Sequence, residues 1–169
     1  MRRLVLVCLV ILTACTWRSS NSCSGPSLSG CDLRGADFSG KQLSRQTFDG
    51  SLLQGADFSG ASMSRASFAQ ANLKEASLRG ADLRGANFQF AHLYKVDFTG
   101  ANLEGANFDH AYLWRANLTD ANATNANFNW AQLNLAILDG LTITGANFSF
   151  SDLSDTVLED TEVDPDRGK

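Results

Sequence analysis

Residues 71–90 read ANLKEASLRGADLRGANFQF, and within them Leu73, Leu78, Leu83 and Phe88 recur at every fifth position. Two residues before each stands an alanine: Ala71, Ala76, Ala81 and Ala86. A period of five fits neither the 3.6-residue turn of a helix nor the two-residue alternation of a half-buried strand, so the stretch is read as a structural repeat. The register extends in both directions without a slip, from Leu28, Leu33, Phe38, Leu43, Phe48, Leu53 and Phe58 to Leu153, Leu158 and Val163, with only Ala123 lacking a large side chain. A polar residue, commonly Asp or Asn as at Asp57, Asn72, Asp82 and Asn87, separates the small residue from the large one.

A second order lies on the first. Taking every fourth unit gives Leu28, Phe48, Phe68, Phe88, Phe108, Phe128 and Phe148 in one column, and Leu33, Leu53, Leu73, Leu93, Leu113, Leu133 and Leu153 in the next. Like residues stack at a twenty-residue interval, which is what four five-residue sides per coil require. A tube that narrow holds one large side chain per side and layer, and alanine is the partner that avoids overpacking.

The A(D/N)LXX pattern resembles the pentapeptide-repeat family over about residues 26–164. The resemblance implies an all-β fold, a right-handed quadrilateral parallel β-helix of about seven coils, with the large residue and the small residue two before it pointing inward. Near the amino end Lys41, Gln46 and Ser51 replace the small inward residue, which predicts a partly opened coil there. At the other end Val157, Leu158 and Val163 precede a short polar tail, 165–169, an arrangement open to two readings, end-to-end homodimerisation or capping of the end by the tail.

The chain begins Met1-Arg2-Arg3, continues with the apolar run Leu4–Leu12, and reaches Leu12-Thr13-Ala14-Cys15, the layout of an export signal. Nine apolar residues are too few to span a bilayer, which takes about 20. The residues before Cys15 resemble a bacterial lipobox, implying removal of 1–14 and attachment of diacylglyceryl and palmitate-type N-acyl chains to Cys15, a membrane lipoprotein, in the outer membrane if the host is Gram-negative. Residues 15–25, rich in Ser, read as a flexible stalk. Loss of Arg2 and Arg3 would take the formal charge from −4 to −6, which argues against nucleic acid as a partner.

A tube filled with Leu, Phe and Ala has no cleft in which catalytic groups converge, so the expectation is a non-enzymatic protein with no cofactor. His92 and His110 are the chain's two histidines, and neither has ligand-like spacing to a cysteine or carboxylate cluster, so no metal is expected. Cys23 and Cys31 fall in inward phase and, in an exported protein, are a candidate disulfide; buried free thiols are the other reading. The informative departure from the repeat is aromatic. Phe90, His110, Trp130 and Phe150 fall at one outward corner twenty residues apart, Tyr94 and Trp114 at the next corner, with His92 and Tyr112 between.

Two explanations compete for these rings: stacked aromatics that stabilise the sheet, and a surface for a protein or glycan partner in the cell envelope. Charge is uneven as well. Residues 24–95 carry eight Lys and Arg against six acids, and residues 96–163 carry Arg115 against ten acids, +2 against −9. The acidic half raises the role of family members that mimic DNA, bind type II topoisomerases and protect against quinolones. The export signal ranks that role below an envelope scaffold, and a carbohydrate- or wall-binding module is the remaining alternative.

Overall fold

The computed structural model describes residues 27–157. Its unit is a short extended segment closed by a β-turn, repeated every five residues. Take Ala56–Gly60. The Ala56 N–H donates to the Leu53 carbonyl (3.0 Å) and closes the preceding turn, and Asp57 N–H donates to Ala36 in the coil below (2.9 Å). Phe58 and Gly60 N–H donate to Ser77 and Arg79 in the coil above, at 2.7 and 2.8 Å. The fifth donor, Ser59 N–H, has its partner in the Asp57 carboxylate (2.9 Å). Every N–H of the unit is therefore satisfied, as a backbone passing over an apolar core demands. The Asp/Asn preference follows, because only a short side chain with an acceptor oxygen reaches the N–H two residues on.

Parallel bridges pair residues twenty apart, from Asp32 with Leu52 through Ile137 with Val157. Four units per coil and a turn at each corner make the cross-section quadrilateral. At twenty residues per coil, residues 27–157 fill about six and a half layers at the usual strand spacing. The corner residue just before each alanine position has positive φ throughout, in 12 glycines and 14 other residues. With the turn closed as from Phe58 to Ala61 (3.0 Å) and φ +63° at Gly60, this is a type II turn.

Inside, phenylalanines from two opposite sides form interleaved columns. Phe68, Phe88 and Phe108 stack at 5.0 and 4.9 Å, and Phe98 meets Phe88 edge-on at 5.7 Å and 87°. Leucines fill much of the other two sides, and the alanines beside them are buried. Coil stacks on coil through the same contacts repeated, so cohesion accumulates layer by layer.

The amino-terminal coil departs from expectation. The backbone ladder runs unbroken through Lys41, Gln46 and Ser51, whose N–H groups close their turns at 3.1, 3.0 and 3.1 Å. Ser51 is buried, and its hydroxyl donates to the Phe48 carbonyl at 2.5 Å. Gln46 lies half-buried and Lys41 exposed. The coil stays closed because the turn and ladder bonds use main-chain atoms that these substitutions leave intact. At the other end Phe148 is half-buried and Leu153 and Val157 are exposed; Leu158, Val163 and the tail 165–169 lie outside the described residues.

Candidate functional site: an aromatic side of the rod

One side of the rod differs from the other three. Its middle column holds His92 and Tyr112, whose rings stack at 4.9 Å and 9°. Along one bordering corner, Phe90, His110, Trp130 and Phe150 form a continuous ladder with centroid separations of 5.0, 6.0 and 4.7 Å. Along the other, Tyr94 and Trp114 lie 5.4 Å apart with planes tilted 58°. All eight aromatic positions singled out in the sequence thus come together on this side. Phe90, His92, His110, Tyr112, Trp114, Trp130 and Phe150 are exposed, and Tyr94 is half-buried.

The ladder occupies the costliest backbone position in the repeat. Phe90, His110, Trp130 and Phe150 have φ of +57, +57, +55 and +59°, a region that glycine enters freely and an L side chain enters at about 1–2 kcal/mol. Ring pairs contribute about 0.5–1.5 kcal/mol each, and four rings in a column make three pairs. Stacking at most offsets that strain, and ten other non-glycine corners carry the same φ, so what sets this column apart is its four exposed rings in register. The positive φ was not evident from residue identities alone, although glycine at many equivalent corners was its signal.

Cations border the second corner. Lys95 Nζ lies 5.4 Å and Lys74 Nζ 5.6 Å from the Tyr94 centroid, and the Arg115 guanidinium carbon is 5.6 Å from that of Trp114, all at cation–π range. Lys74 also stands 3.9 Å from Glu75. On the ladder side Asp109 holds His110 Nδ1 at 3.1 Å and accepts from the Asn129 amide at 2.8 Å. The Asn129 amide first, then His110, hold the Asp109 carboxyl below the usual range against a desolvation cost. Beyond that pair, no group of three His, Cys, Asp or Glu placed to hold a metal occurs among the described residues.

Cys31 is buried and disulfide-bonded. Cys23, the expected partner, lies outside the described residues, as does Cys15.

Comparison with known proteins places this surface on a known scaffold. Among solved structures, Rfr23, a pentapeptide repeat protein from the cyanobacterium Cyanothece 51142, is 32% identical over 58% of this chain and 64% of its own, with a TM-score of 0.43. A pentapeptide repeat protein from the Arabidopsis thaliana thylakoid lumen is 38% identical over 64% of this chain and 69% of its own, TM-score 0.39. A trypsin-treated form of QnrB1, a plasmid-mediated fluoroquinolone resistance protein, is 22% identical over 77% and 78%, TM-score 0.43. This chain thus spans less than two thirds of Rfr23. No curated protein matches it. The family profile described as Pentapeptide repeats (8 copies) matches residues 27–65, 61–100 and 101–140, and with the coil geometry above, the chain belongs to the pentapeptide repeat family.

Proposed function

We propose that this protein is a non-enzymatic, lipid-anchored scaffold, a right-handed rod of about seven coils that engages a protein partner in the cell envelope through its aromatic side. The observation that carries the reading is the gathering of eight aromatic residues on one side of the rod, seven of them exposed and four stacked in one continuous ladder. Trp, Tyr and Arg, the residues that dominate binding energy at protein interfaces, meet there as Trp114, Trp130, Tyr112 and Arg115. Within the ladder the rings cover one another's faces and offer solvent their edges. A sugar ring stacks on an exposed aromatic face, so this geometry suits a protein contact better than a glycan.

The anchor would be Cys15, after removal of 1–14, with 15–25 as the stalk holding the rod away from a membrane, the outer one in a Gram-negative host. Several acyl chains hold firmly, since each buried methylene contributes about 0.8 kcal/mol. Fractionation of the native protein beside a Cys15→Ser form, with the intact mass of the amino terminus, tests this. Acylated membrane-bound native protein beside an unanchored variant supports the reading. If both forms stay cytoplasmic with Met1 retained, the anchor fails, and the acidic distal half makes a topoisomerase-type partner the leading alternative.

A further inference from the structure

The scaffold reading leaves open what kind of segment the aromatic side accepts, and the charges and the layer spacing of that side narrow it. In residues 89–135 the cations are Lys95 and Arg115, and both border the aromatic side. Of the acids in that span only Asp109 belongs to this side, held by His110 and Asn129, whereas Asp97, Glu104 and Asp120 fall on other sides or corners of the twenty-residue coil. Lys95 and Arg115 make no ion pair with a carboxylate among the described residues; each cation lies over a ring. With Lys74 one layer below, itself 3.9 Å from Glu75 at this corner, three cations climb one corner in successive coils beside the half-buried Tyr94 and the exposed Trp114.

The spacing selects the conformation of the occupant. The coils repeat along the rod at the usual strand spacing of about 4.8 Å, with ladder centroids 4.7 to 6.0 Å apart. Successive turns of an α-helix repeat at about 5.4 Å, so a helix lying along the rod keeps one side chain near each layer over several layers. Same-side residues of an extended strand repeat at about 6.7 Å and fall out of step faster. Four layers at about 4.8 Å accommodate roughly 10–13 helical residues. An anionic bilayer is disfavoured, because Asp152 and Asp155 crown the same side and its far corner, while the distal half as a whole carries −9. A helix can place carboxylates against Lys74, Lys95 and Arg115 alone.

We propose that the aromatic side of the rod binds an amphipathic α-helix of a partner protein, its apolar stripe on Tyr112, Trp114 and Trp130 and its acidic residues along Lys74, Lys95 and Arg115. This inference rests on the scaffold reading above. To test it, Tyr112 is replaced by p-benzoylphenylalanine in the full-length chain, expressed in its native host and photocrosslinked, and the crosslinked segment is sequenced by mass spectrometry. A second form carries the same probe at Glu104, on a corner away from the aromatic side.

The expected result is a Tyr112-position crosslink to a protein segment with acidic residues at i, i+3 or i+4, and i+7, and a yield at least tenfold lower in a Lys95→Glu, Arg115→Glu background. A crosslink to lipid, to a segment without that acidic helical pattern, or one indifferent to charge reversal overturns the inference. A Tyr112-position crosslink to a protein segment without the acidic helical pattern leaves the scaffold reading standing, whereas protein crosslinks from the Glu104 position alone would overturn both the inference and the aromatic side as the contact surface. Protein crosslinks from neither position would sink both.

Discussion

Phe88 and Phe90 stand two residues apart on opposite surfaces of one coil: Phe88 is 0% exposed, stacked between Phe68 and Phe108, and Phe90 is 44% exposed at φ +57°, stacked on His110. The two rings have the same chemistry and opposite energetic roles. Phe88 removes apolar surface from water and fills its side of the layer, meeting Phe98 edge-on at 5.7 Å. Phe90 holds a strained corner and shows an edge to solvent.

Truncation should separate the two. Phe88→Ala is expected to destabilise the rod by about 3–5 kcal/mol through lost burial and the cavity left behind. Phe90→Gly relieves about 1–2 kcal/mol of left-handed strain and gives up one ring pair of about 0.5–1.5 kcal/mol, so its stability should be unchanged or slightly raised. Paired denaturant titrations decide this, and a loss above 2 kcal/mol in Phe90→Gly would make the ladder a structural element.

Asn127 is tied into three coils. Its Oδ1 accepts the Asn129 N–H at 3.1 Å and the Asn147 amide at 3.2 Å, and its own Nδ2 donates to Asn107 Oδ1 at 3.1 Å. Asn127→Ala leaves the Asn129 N–H without its acceptor and is expected to cost about 1–2 kcal/mol. Asn127→Asp keeps that acceptor but loses the donor to Asn107, so thermal melting should place it between wild type and the alanine form.

Acid should loosen the rod. Asp109 is lowered chiefly by the Asn129 amide, and Asp152 by the Ser154 N–H. Burial pushes Asp97 up, but hydrogen bonds from Thr99 and Arg79 together outweigh it and leave it lowered. A carboxyl depressed in the folded state contributes stability that is complete above its unfolded value of about 3.9 and is lost as pH falls through the folded value. Melting temperature should therefore be level from about pH 5 to 8 with respect to these groups and fall below about pH 4. Asp97→Asn, which retains an acceptor for the Thr99 N–H, should make the acid limb shallower.

The disulfide at Cys31 predicts that denatured, unreduced protein resists thiol labelling at that residue. If Cys23 is its partner, peptide mapping without reductant should recover the two cysteines in one linked species that separates on reduction. Labelling of Cys31 before reduction would contradict the bond, and linkage to another cysteine would correct the pairing.

Much of this molecule was legible in one dimension. Five-residue spacing identifies the inward residues, because a tube one side chain wide leaves each position only one environment. The twenty-residue recurrence of Phe48, Phe68, Phe88 and Phe108 announces four sides per coil, and it places Phe90, His110, Trp130 and Phe150 in one outward column. In a solenoid, sequence separation maps directly onto spatial separation, so patterns in the chain are contacts in the rod.

Three features required the tertiary structure. The coil at Lys41, Gln46 and Ser51 stays closed because main-chain bonds to the next coil hold it, a contribution that side-chain identity does not display. The left-handed backbone beneath Phe90, His110, Trp130 and Phe150 turns a column of rings into a strained surface. The placement of Lys95 and Arg115 over Tyr94 and Trp114 gives that surface a charged border. The sequence by itself determined which residues share a layer and which face outward, because the repeat is a ruler; backbone strain and cation placement were decided only in three dimensions, because they depend on torsion angles and side-chain directions that a periodic pattern does not encode.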